Sequence, residues 1–298
     1  MHRTGALTRG RALVRASRPR QWPKNLLVFA APATAGALAD PRSLLLCAAA
    51  FALFCLAASG TYLLNDVRDA DLDRAHPRKR HRPVASGELP VPIARVAGAL
   101  FVTAAPLASL ALGRPGFTLV LTGYAVLTLA YTHLLKDIVV CDLVAVASCH
   151  MLRAMAGGVV VGVPLTSWFV IVVALAALLV VVGKREAELR VTTEAGAADR
   201  PTRTALRGYT SGYLAHVRIM ASGAMIVTYC LWALEQDGGP RSVFHAVSIV
   251  PFIMFVLRYN LLVDRGAGEE PEEIALRDRP LQLTLAALAL LVGLGIYL

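Results

Sequence analysis

The chain has 298 residues, of which 56% are hydrophobic and 17% are charged, and its formal net charge is +10. The apolar fraction lies well above the value of about 45–50% that is usual for soluble globular domains, and the mean hydropathy is +0.59. These values exclude an ordinary water-soluble protein. They predict an all-α, polytopic membrane protein, in which a basic surplus does not by itself indicate a nucleic-acid partner.

Residues 1–24 form a basic segment that contains no acidic residue. No cleavage site follows the first apolar run, so we interpret the segment as cytoplasmic and in contact with the inner leaflet, not as a signal peptide. Lys24 lies at the end of this segment, beside the first predicted span, and its ammonium group is a candidate for binding phosphate. Residues 25–298 are predicted to form a single transmembrane domain.

Nine apolar segments follow, most of them close to the about 20 residues that a helix needs to cross the hydrocarbon core. The first segment is short and is interrupted by Pro32. The predicted spans are residues 25–39, 43–64, 91–112, 116–134, 139–161, 165–183, 209–235, 243–263 and 280–298.

The basic residues indicate how these spans are oriented. Most of the 30 lysines and arginines lie before the first span or in alternate loops, whereas the other loops contain only Arg42, Arg114 and Arg241. By the positive-inside rule, the basic loops and the N-terminus are cytoplasmic and the C-terminus is outside. The chemically suggestive residues fall in the basic loops, so we predict an active site at the cytoplasmic face of the cell membrane.

The most informative motif follows the second span, where Asn65, Asp66, Asp69 and Asp73 spell N-D-x-x-D-x-x-x-D. If the helix continues at about 100° per residue, the three aspartates lie within roughly 60° of one another, and Asp71 points to the other side. Stacked carboxylates repel unless cations lie between them. Hard oxygen ligands of this kind suit Mg²⁺, for which Mn²⁺ can substitute, shared with a phosphorylated substrate. The alternative is a solvated acidic helix end.

Several cations share the predicted cytoplasmic face with these acids. Lysine and arginine side chains at such a position are suited to bind phosphate groups. For the two cations of the G-K-R-E-A-E-L segment, which follows the sixth span, a solvated charge run is an equally open interpretation. The candidates are Lys79, Arg82, Lys136, Lys184 and Arg185.

Ionisable residues also occur inside the predicted spans, where an unpaired charge costs several kcal/mol. On the fifth span, Asp142 and Arg153 share a helix face at a separation of roughly 16 Å, and both are candidate substrate-binding residues. Asp142 has the alternative of pairing with Lys136 at the interface. Arg153 has the alternatives of snorkelling towards the interface or of forming a structural pair. The sequence does not assign a role to His216 or Arg218.

The acidic motif, followed by R-P-x-x-S-G at residues 82–87, lies on a chain of nine predicted helices with basic inner loops. In these features the chain resembles the UbiA superfamily of intramembrane prenyltransferases. The resemblance implies a bundle of nine transmembrane helices around a central cavity, with a polar cap on the cytoplasmic side.

Four longer motifs give a narrower resemblance, to the branch of that superfamily that transfers a phosphoribosyl group. This branch uses phosphoribosyl pyrophosphate and a polyprenyl (decaprenyl) phosphate, and releases pyrophosphate, to make arabinan precursors for the cell wall. The motifs lie at residues 18–32, 65–83, 135–158 and 183–189.

By this resemblance, Asp66, Asp69 and Asp73, helped by Asn65, would be catalytic and would hold Mg²⁺ on the pyrophosphate of the donor. The cations Lys136, Lys184 and Arg185, with Lys79 and Arg82 behind them, would bind the 5-phosphate of the donor or the lipid phosphate. Asp142 would bind ribose hydroxyls or a second metal ion. Transmembrane helix bundles often form homo-oligomers, but no motif here identifies an interface.

A UbiA-type aromatic prenyltransferase, which moves a prenyl group from a prenyl diphosphate to an aromatic acceptor, is the alternative function. It would need a second aspartate-rich motif after the sixth span, and this chain has K-R-E-A-E-L there. A transporter would need charges across the membrane midplane or inverted repeats, neither of which is visible in the sequence.

Overall fold

The structure is a computed structural model that describes residues 2–75, 79–194, 204–236, 239, 241–267, 274 and 277–298. Residues 76–78, part of the motif at 65–83, lie outside this set. The described residues form helices joined by turns and short irregular segments, with no strand among them. The helices are α1 (His2–Ala16), α2 (Ala30–Thr34), α3 (Pro41–Arg68), α4 (Ala70–Ala75), α5 (Val91–Ser109), α6 (Pro115–Ala130), α7 (Cys141–Val161), α8 (Ser167–Glu194), α9 (Ser211–Leu234), α10 (Ser242–Asp264) and α11 (Arg279–Tyr297).

Eight of these helices, α3 and α5 to α11, are long and apolar enough to cross a membrane, so the prediction of a polytopic all-α membrane protein is confirmed. Each corresponds to one of the second to ninth predicted spans, and the ends agree within several residues except for α8, which continues to Glu194, eleven residues past the predicted end at residue 183. The first predicted span, residues 25–39, is not a single helix. It consists of a 3₁₀ helix (Pro19–Phe29), α2 and a short 3₁₀ turn (Ala37–Ala39). Pro23 and Pro32 interrupt it, because proline has no N–H to donate to the preceding turn.

The chain divides into two compact units, and the first comprises Met1–Ala30, Leu38–Leu134 and Leu152–Gly162. In it, the Pro19–Phe29 helix contacts progressively earlier residues of α3 and therefore runs antiparallel to that helix. Trp22 donates to Ser59 at 3.2 Å, and Asn25 donates to Cys55 at 3.2 Å. The centre of the Phe29 ring lies 6.4 Å from that of the Phe51 ring.

Helices α3 and α5 pack closely in the first unit, at Gly60 and Gly98. A Cβ atom on Gly60 would lie 2.8 Å from the Gly98 carbonyl oxygen, so only glycine permits this backbone approach. Helix α1 packs against the last turns of α3 through Ala12 and Ala16, which are buried with Leu63. The start of the chain therefore lies at the end of α3 that carries the acidic motif.

The second unit comprises Ala31–Ala37, Leu135–Met151 and Val163–Leu298. Helix α8 packs on α9, α9 on α10, and α10 on α11. Its apolar core includes Met225 and Val256, and the ring of Tyr229 stacks on Phe252 at 3.8 Å.

Candidate active site

The acidic motif lies in the first unit, at a break between α3 and α4. Helix α3 ends at Arg68, and Asp69 has φ −92° and ψ 8°, outside the α-helical region. The expectation of one continuous helix through Asp73 is therefore wrong. The turn is nevertheless preserved, because the Asp69 N–H donates to the Asn65 carbonyl at 2.9 Å and the Asp73 N–H donates to the Asp69 carbonyl at 2.8 Å.

Two aspartates of the motif are buried beside each other. Asp66 is 1% exposed and Asp73 is 4% exposed. Arg82 joins them, since its guanidinium donates to Asp73 Oδ2 at 2.7 Å and to Asp66 Oδ1 at 3.4 Å. Arg18 also donates to Asp66 Oδ1, and its guanidinium lies 5.0 Å from the centre of the Tyr62 ring. Arg82 thus joins the two carboxylates, and Arg18 adds a second cation to Asp66.

The remaining aspartates differ in their surroundings. Asp71 points away from the pair, as its spacing predicts: its side chain is 93% exposed and accepts from Arg74. Asp69, at the break between α3 and α4, is half-buried, and so is Asn65 on the last turn of α3.

The residues present fit a divalent cation in the chemistry of their donors. Asp66 Oδ2 is a buried carboxylate oxygen that accepts no hydrogen bond from the described residues, and carboxylate oxygens are the ligands that Mg²⁺ prefers. Within the same described part of the chain, no three His, Cys, Asp or Glu side chains converge into a complete metal site. A cation held here would therefore take further ligands from a substrate or from water.

Three other predicted substrate-binding residues, Lys24, Lys79 and Arg153, belong to the first unit. Lys24 is half-buried on the Pro19–Phe29 helix, and Lys79 is half-buried before Arg82. Arg153 is buried and donates to the Asn25 side-chain oxygen at 2.8 Å and to the Tyr124 hydroxyl at 2.7 Å. It thereby ties α7 to α6 and to the Pro19–Phe29 helix. Its role in substrate binding stays a prediction.

A second polar cluster lies in the second unit around Asp142, which is 1% exposed. Arg185 Nε donates to Asp142 Oδ2 at 2.8 Å, and the same guanidinium donates to Glu188 at 2.8 Å. The Tyr209 hydroxyl donates to Asp142 Oδ1. Burial, together with the bond to this carboxylate, raises the pKa of Tyr209 well above its ordinary value, so the phenol stays protonated and acts as a donor.

The backbone beside Asp142 is strained. Val140 has φ 68°, a left-handed conformation that costs a β-branched residue of the order of 1–2 kcal/mol. Its N–H donates to the Tyr209 hydroxyl at 2.6 Å. Gly208 lies so close to Val139 that a Cβ atom there would be 2.5 Å from a valine methyl. Residues 136–140 form the turn before α7. The half-buried Lys136 is its first residue and follows directly after a π-helical turn at Tyr131–Leu135.

Arg218, to which the sequence assigned no role, is the centre of a third buried cluster. It donates to Glu186 of α8 at 2.8 Å, to the Asn260 side chain of α10 at 2.6 Å and to Asp264. These contacts tie three helices together. His216, two residues earlier on α9, is exposed.

Sequence reasoning missed Arg18 and Tyr209 as members of polar clusters. Arg18 opens the motif at residues 18–32, but its charge was attributed to topology alone. Tyr209 lies at the edge of a predicted span beside Gly208, and nothing in the local pattern distinguishes it from an interfacial aromatic residue.

Residues 26–273 match the model of the UbiA prenyltransferase family. Two relatives match nearly the whole chain. The decaprenyl-phosphate phosphoribosyltransferase of Mycobacterium tuberculosis is 45% identical over 95% of this chain and 94% of its own. That of Corynebacterium glutamicum is 40% identical over 96% of this chain and 87% of its own.

A solved structure has the same fold. A UbiA homolog from Archaeoglobus fulgidus, bound to GPP and Mg²⁺, superposes with a TM-score of 0.70 over 96% of this chain and 100% of its own, at 17% identity. The acidic motif indicates the same family as the family model and the relatives, and the helical fold agrees with it. The chain belongs to the UbiA prenyltransferase family.

Proposed function

We propose that this protein transfers the 5-phosphoribosyl group of phosphoribosyl pyrophosphate to a polyprenyl phosphate and releases pyrophosphate. The observation that carries the proposal is the 45% identity, over 95% of the chain, to a decaprenyl-phosphate phosphoribosyltransferase. The chemistry of the two carboxylate clusters supports it, because each combines acids and cations at the membrane end of long apolar helices.

The pyrophosphate of the donor is assigned to the first unit. Asp66, Asp69 and Asp73 would hold Mg²⁺, or Mn²⁺ in its place, and Asn65 would assist. The metal supplies charge neutralisation for the leaving pyrophosphate. The Mg²⁺ bound by the Archaeoglobus fulgidus homolog supports this assignment.

The guanidinium groups of the same cluster would act on the leaving group directly. Arg82 bridges Asp66 and Asp73 in the structure, and Arg18 pairs with Asp66. Both side chains are about a quarter exposed, at 27% and 26%, so they reach the edge of the cluster. Their N–H groups can stabilise the charge that develops on the pyrophosphate oxygens, with Lys79 nearby in the chain.

The remaining phosphate group, either the 5-phosphate of the donor or the lipid phosphate, would be bound by lysine side chains. Lys136 and Lys184 are our candidates for this contact. Arg185 is engaged by Asp142 and Glu188, so it would act with Asp142 to shape the site, and the Asp142 carboxylate remains a candidate for the ribose hydroxyls.

In the reaction itself, the bond from the anomeric carbon to the pyrophosphate oxygen breaks and a bond to an oxygen of the lipid phosphate forms from the opposite face, with inversion. The positive charge that builds on the ribose is balanced by the anionic groups around it. The lipid phosphate is already an anion, so the chain does not need to supply a general base.

We further propose that residues 25–39, the first predicted span, form the ninth membrane crossing. It runs antiparallel to α3 from the end that carries the acidic motif, which puts the basic N-terminus and the motif on one side. The positive-inside rule makes this side cytoplasmic and the C-terminus external in the cell membrane. Reporter fusions at Leu298 test it: activity of a periplasmic reporter is expected, and activity of a cytoplasmic one would refute the orientation.

The function is tested with purified protein in nanodiscs, given Mg²⁺, a polyprenyl phosphate and radiolabelled phosphoribosyl pyrophosphate. Labelled lipid is expected, and it should disappear with Asp69→Asn but persist with Asp71→Asn. Labelled lipid in neither wild type nor variants, together with prenylation of an aromatic acid from a prenyl diphosphate, would transfer the assignment to the aromatic prenyltransferases. Association into homo-oligomers is a separate question for the same purified sample.

A further inference from the structure

We infer that Tyr209 is a positioning residue of the second polar cluster: its hydroxyl holds residues 136–140 in a strained conformation and thereby sets the position of Lys136. The inference rests on the proposed function, because Lys136 is a candidate phosphate-binding residue there. No substrate contact of Tyr209 itself is required.

The first observation is the backbone of Val140. Among the described residues, only Val140 and Arg18 have a positive φ without being glycine. A β-branched residue persists in this region only when its surroundings over-determine it, and such residues occur preferentially at functional sites. Two hydrogen bonds constrain it: the Tyr209 hydroxyl accepts from the Val140 N–H at 2.6 Å, and the Val140 carbonyl accepts from the Val144 N–H at 3.0 Å. Only the first comes from outside the local chain.

The second observation is that the same hydroxyl has two partners. While it accepts from Val140, it donates to the buried Asp142 carboxylate, whose other oxygen accepts from Arg185 at 2.8 Å. Tyr209 therefore couples the strained turn to the ion pair between α7 and α8. Because its proton stays on the phenol, both bonds keep this direction at neutral pH.

The third observation is the close packing around the phenol. Gly208, next to it in the chain, lies against Val139, where a Cβ atom would be 2.5 Å from a methyl carbon. The Tyr209 ring stacks on Tyr213 at 5.9 Å. Residues 208–209 thus contact residues 139–140, whose side chains remain exposed on their other side. Lys136 lies only four positions before Val140 in the chain.

The test compares Tyr209→Phe, which keeps the ring and removes the hydroxyl, with Tyr213→Phe as the matched control. Tyr213 stacks on the same ring but is 43% exposed and makes no contact with the strained turn that we describe. The substrate to follow is the one whose KM rises in Lys136→Ala. We expect its KM to rise about tenfold in Tyr209→Phe, the size expected for the loss of a hydrogen bond to a charged group, with kcat changed less than threefold.

A second variant distinguishes positioning from direct binding. Val140→Gly removes the cost of the left-handed conformation, because glycine adopts it freely. We expect Val140→Gly to lower the KM of the Tyr209→Phe protein by several-fold, and by more than it changes the KM of the wild type. If the hydroxyl bound substrate directly, the raised KM would not respond to Val140→Gly, and that result would overturn the inference.

Hydrogen–deuterium exchange provides a readout that does not depend on turnover. The Val140 amide should exchange about tenfold faster in Tyr209→Phe, and at the wild-type rate in Tyr213→Phe. Unchanged exchange and unchanged KM in Tyr209→Phe would reduce Tyr209 to a packing residue and refute the inference. Absence of phosphoribosyl transfer by the wild type, with faster exchange in Tyr209→Phe, would instead refute the proposed function and leave the structural coupling intact.

Discussion

Asp66 and Asp71 lie five residues apart in one acidic motif, yet their surroundings predict opposite results for the same substitution. Asp66 is buried and is contacted by Arg18 and Arg82, whereas the Asp71 side chain is 93% exposed and pairs with Arg74 only locally. We compare Asp66→Asn with Asp71→Asn, since asparagine keeps the size of the side chain and removes only its charge.

The free energy of unfolding should fall only for Asp66→Asn. Removing one partner of a fully buried ion pair costs about 3–5 kcal/mol. Here Arg18 and Arg82 are 26% and 27% exposed, so water can partly solvate them, and the amide oxygen still accepts a hydrogen bond. We therefore expect about 1–3 kcal/mol for Asp66→Asn and no measurable change for Asp71→Asn, whose pair is on the surface.

The effect on turnover should be larger than the effect on stability. Loss of a metal-binding carboxylate removes several kcal/mol of charge stabilisation at the leaving pyrophosphate, and about 4 kcal/mol corresponds to a roughly 10³-fold slower reaction. Asp71→Asn should retain activity within about twofold of the wild type, because its carboxylate faces away from Asp66 and Asp73.

Both quantities are measurable on one preparation in detergent or nanodiscs. Thermal unfolding confirms that each variant is folded at the assay temperature, and the radiolabelled lipid product gives the rate. Equal loss of turnover in Asp66→Asn and Asp71→Asn, with both proteins folded, would show that burial does not distinguish the functional acids and would refute the assignment.

Three further predictions use other parts of the chain. Turnover should stop in excess EDTA and return with Mg²⁺ or Mn²⁺; undiminished turnover with EDTA would exclude the metal. Lys184→Ala should raise the KM of a phosphorylated substrate without changing the Tm, whereas Arg185→Ala should also lower the Tm, because it removes the cation that pairs with the buried Asp142 carboxylate. Unchanged kinetics in both variants would limit these cations to topology. Gly60→Leu should destabilise the protein by at least about 1–3 kcal/mol, because a side chain meets the α5 backbone. Gly223→Leu, where nothing lies within 4 Å, serves as the control; equal Tm values would contradict the close helix packing.

The long spans and the orientation of Asp71 were predictable because both depend on local properties. Hydropathy over about 20 residues identifies a spanning helix, and helical periodicity separates Asp71 from the other acids. The break at Asp69 was not predictable in the same way, since neither glycine nor proline occurs there to indicate it. The interruption of the first span was visible in Pro23 and Pro32, but not the course of the segment along α3.

The partners of the buried acids were beyond local patterns. Arg18 is 48 residues from Asp66 in the chain, and Tyr209 is 67 residues from Asp142. The sequence supplies many arginines near the cytoplasmic face, and the positive-inside rule accounts for all of them equally well. Only tertiary packing determines which guanidinium is buried beside a carboxylate.

Charge balance separates the tasks of the two clusters. In the first unit, Asp66 and Asp73 carry two negative charges and Arg18 and Arg82 two positive ones, so the described cluster is neutral. A divalent cation bound by these two carboxylates and by Asp69 would leave one net positive charge, which attracts a pyrophosphate in a low-dielectric environment.

The cluster in the second unit has a net negative charge. Arg185 is shared by Asp142 and Glu188, and Tyr209 is neutral, so these four side chains carry one net negative charge. A phosphate group would be repelled by them alone and needs the ammonium groups of neighbouring lysines. This is why Lys184→Ala, and not Arg185→Ala, is the substitution whose effect should be confined to the KM. Arg185 stabilises the carboxylates that hold the site in shape, so its loss must appear in the Tm as well.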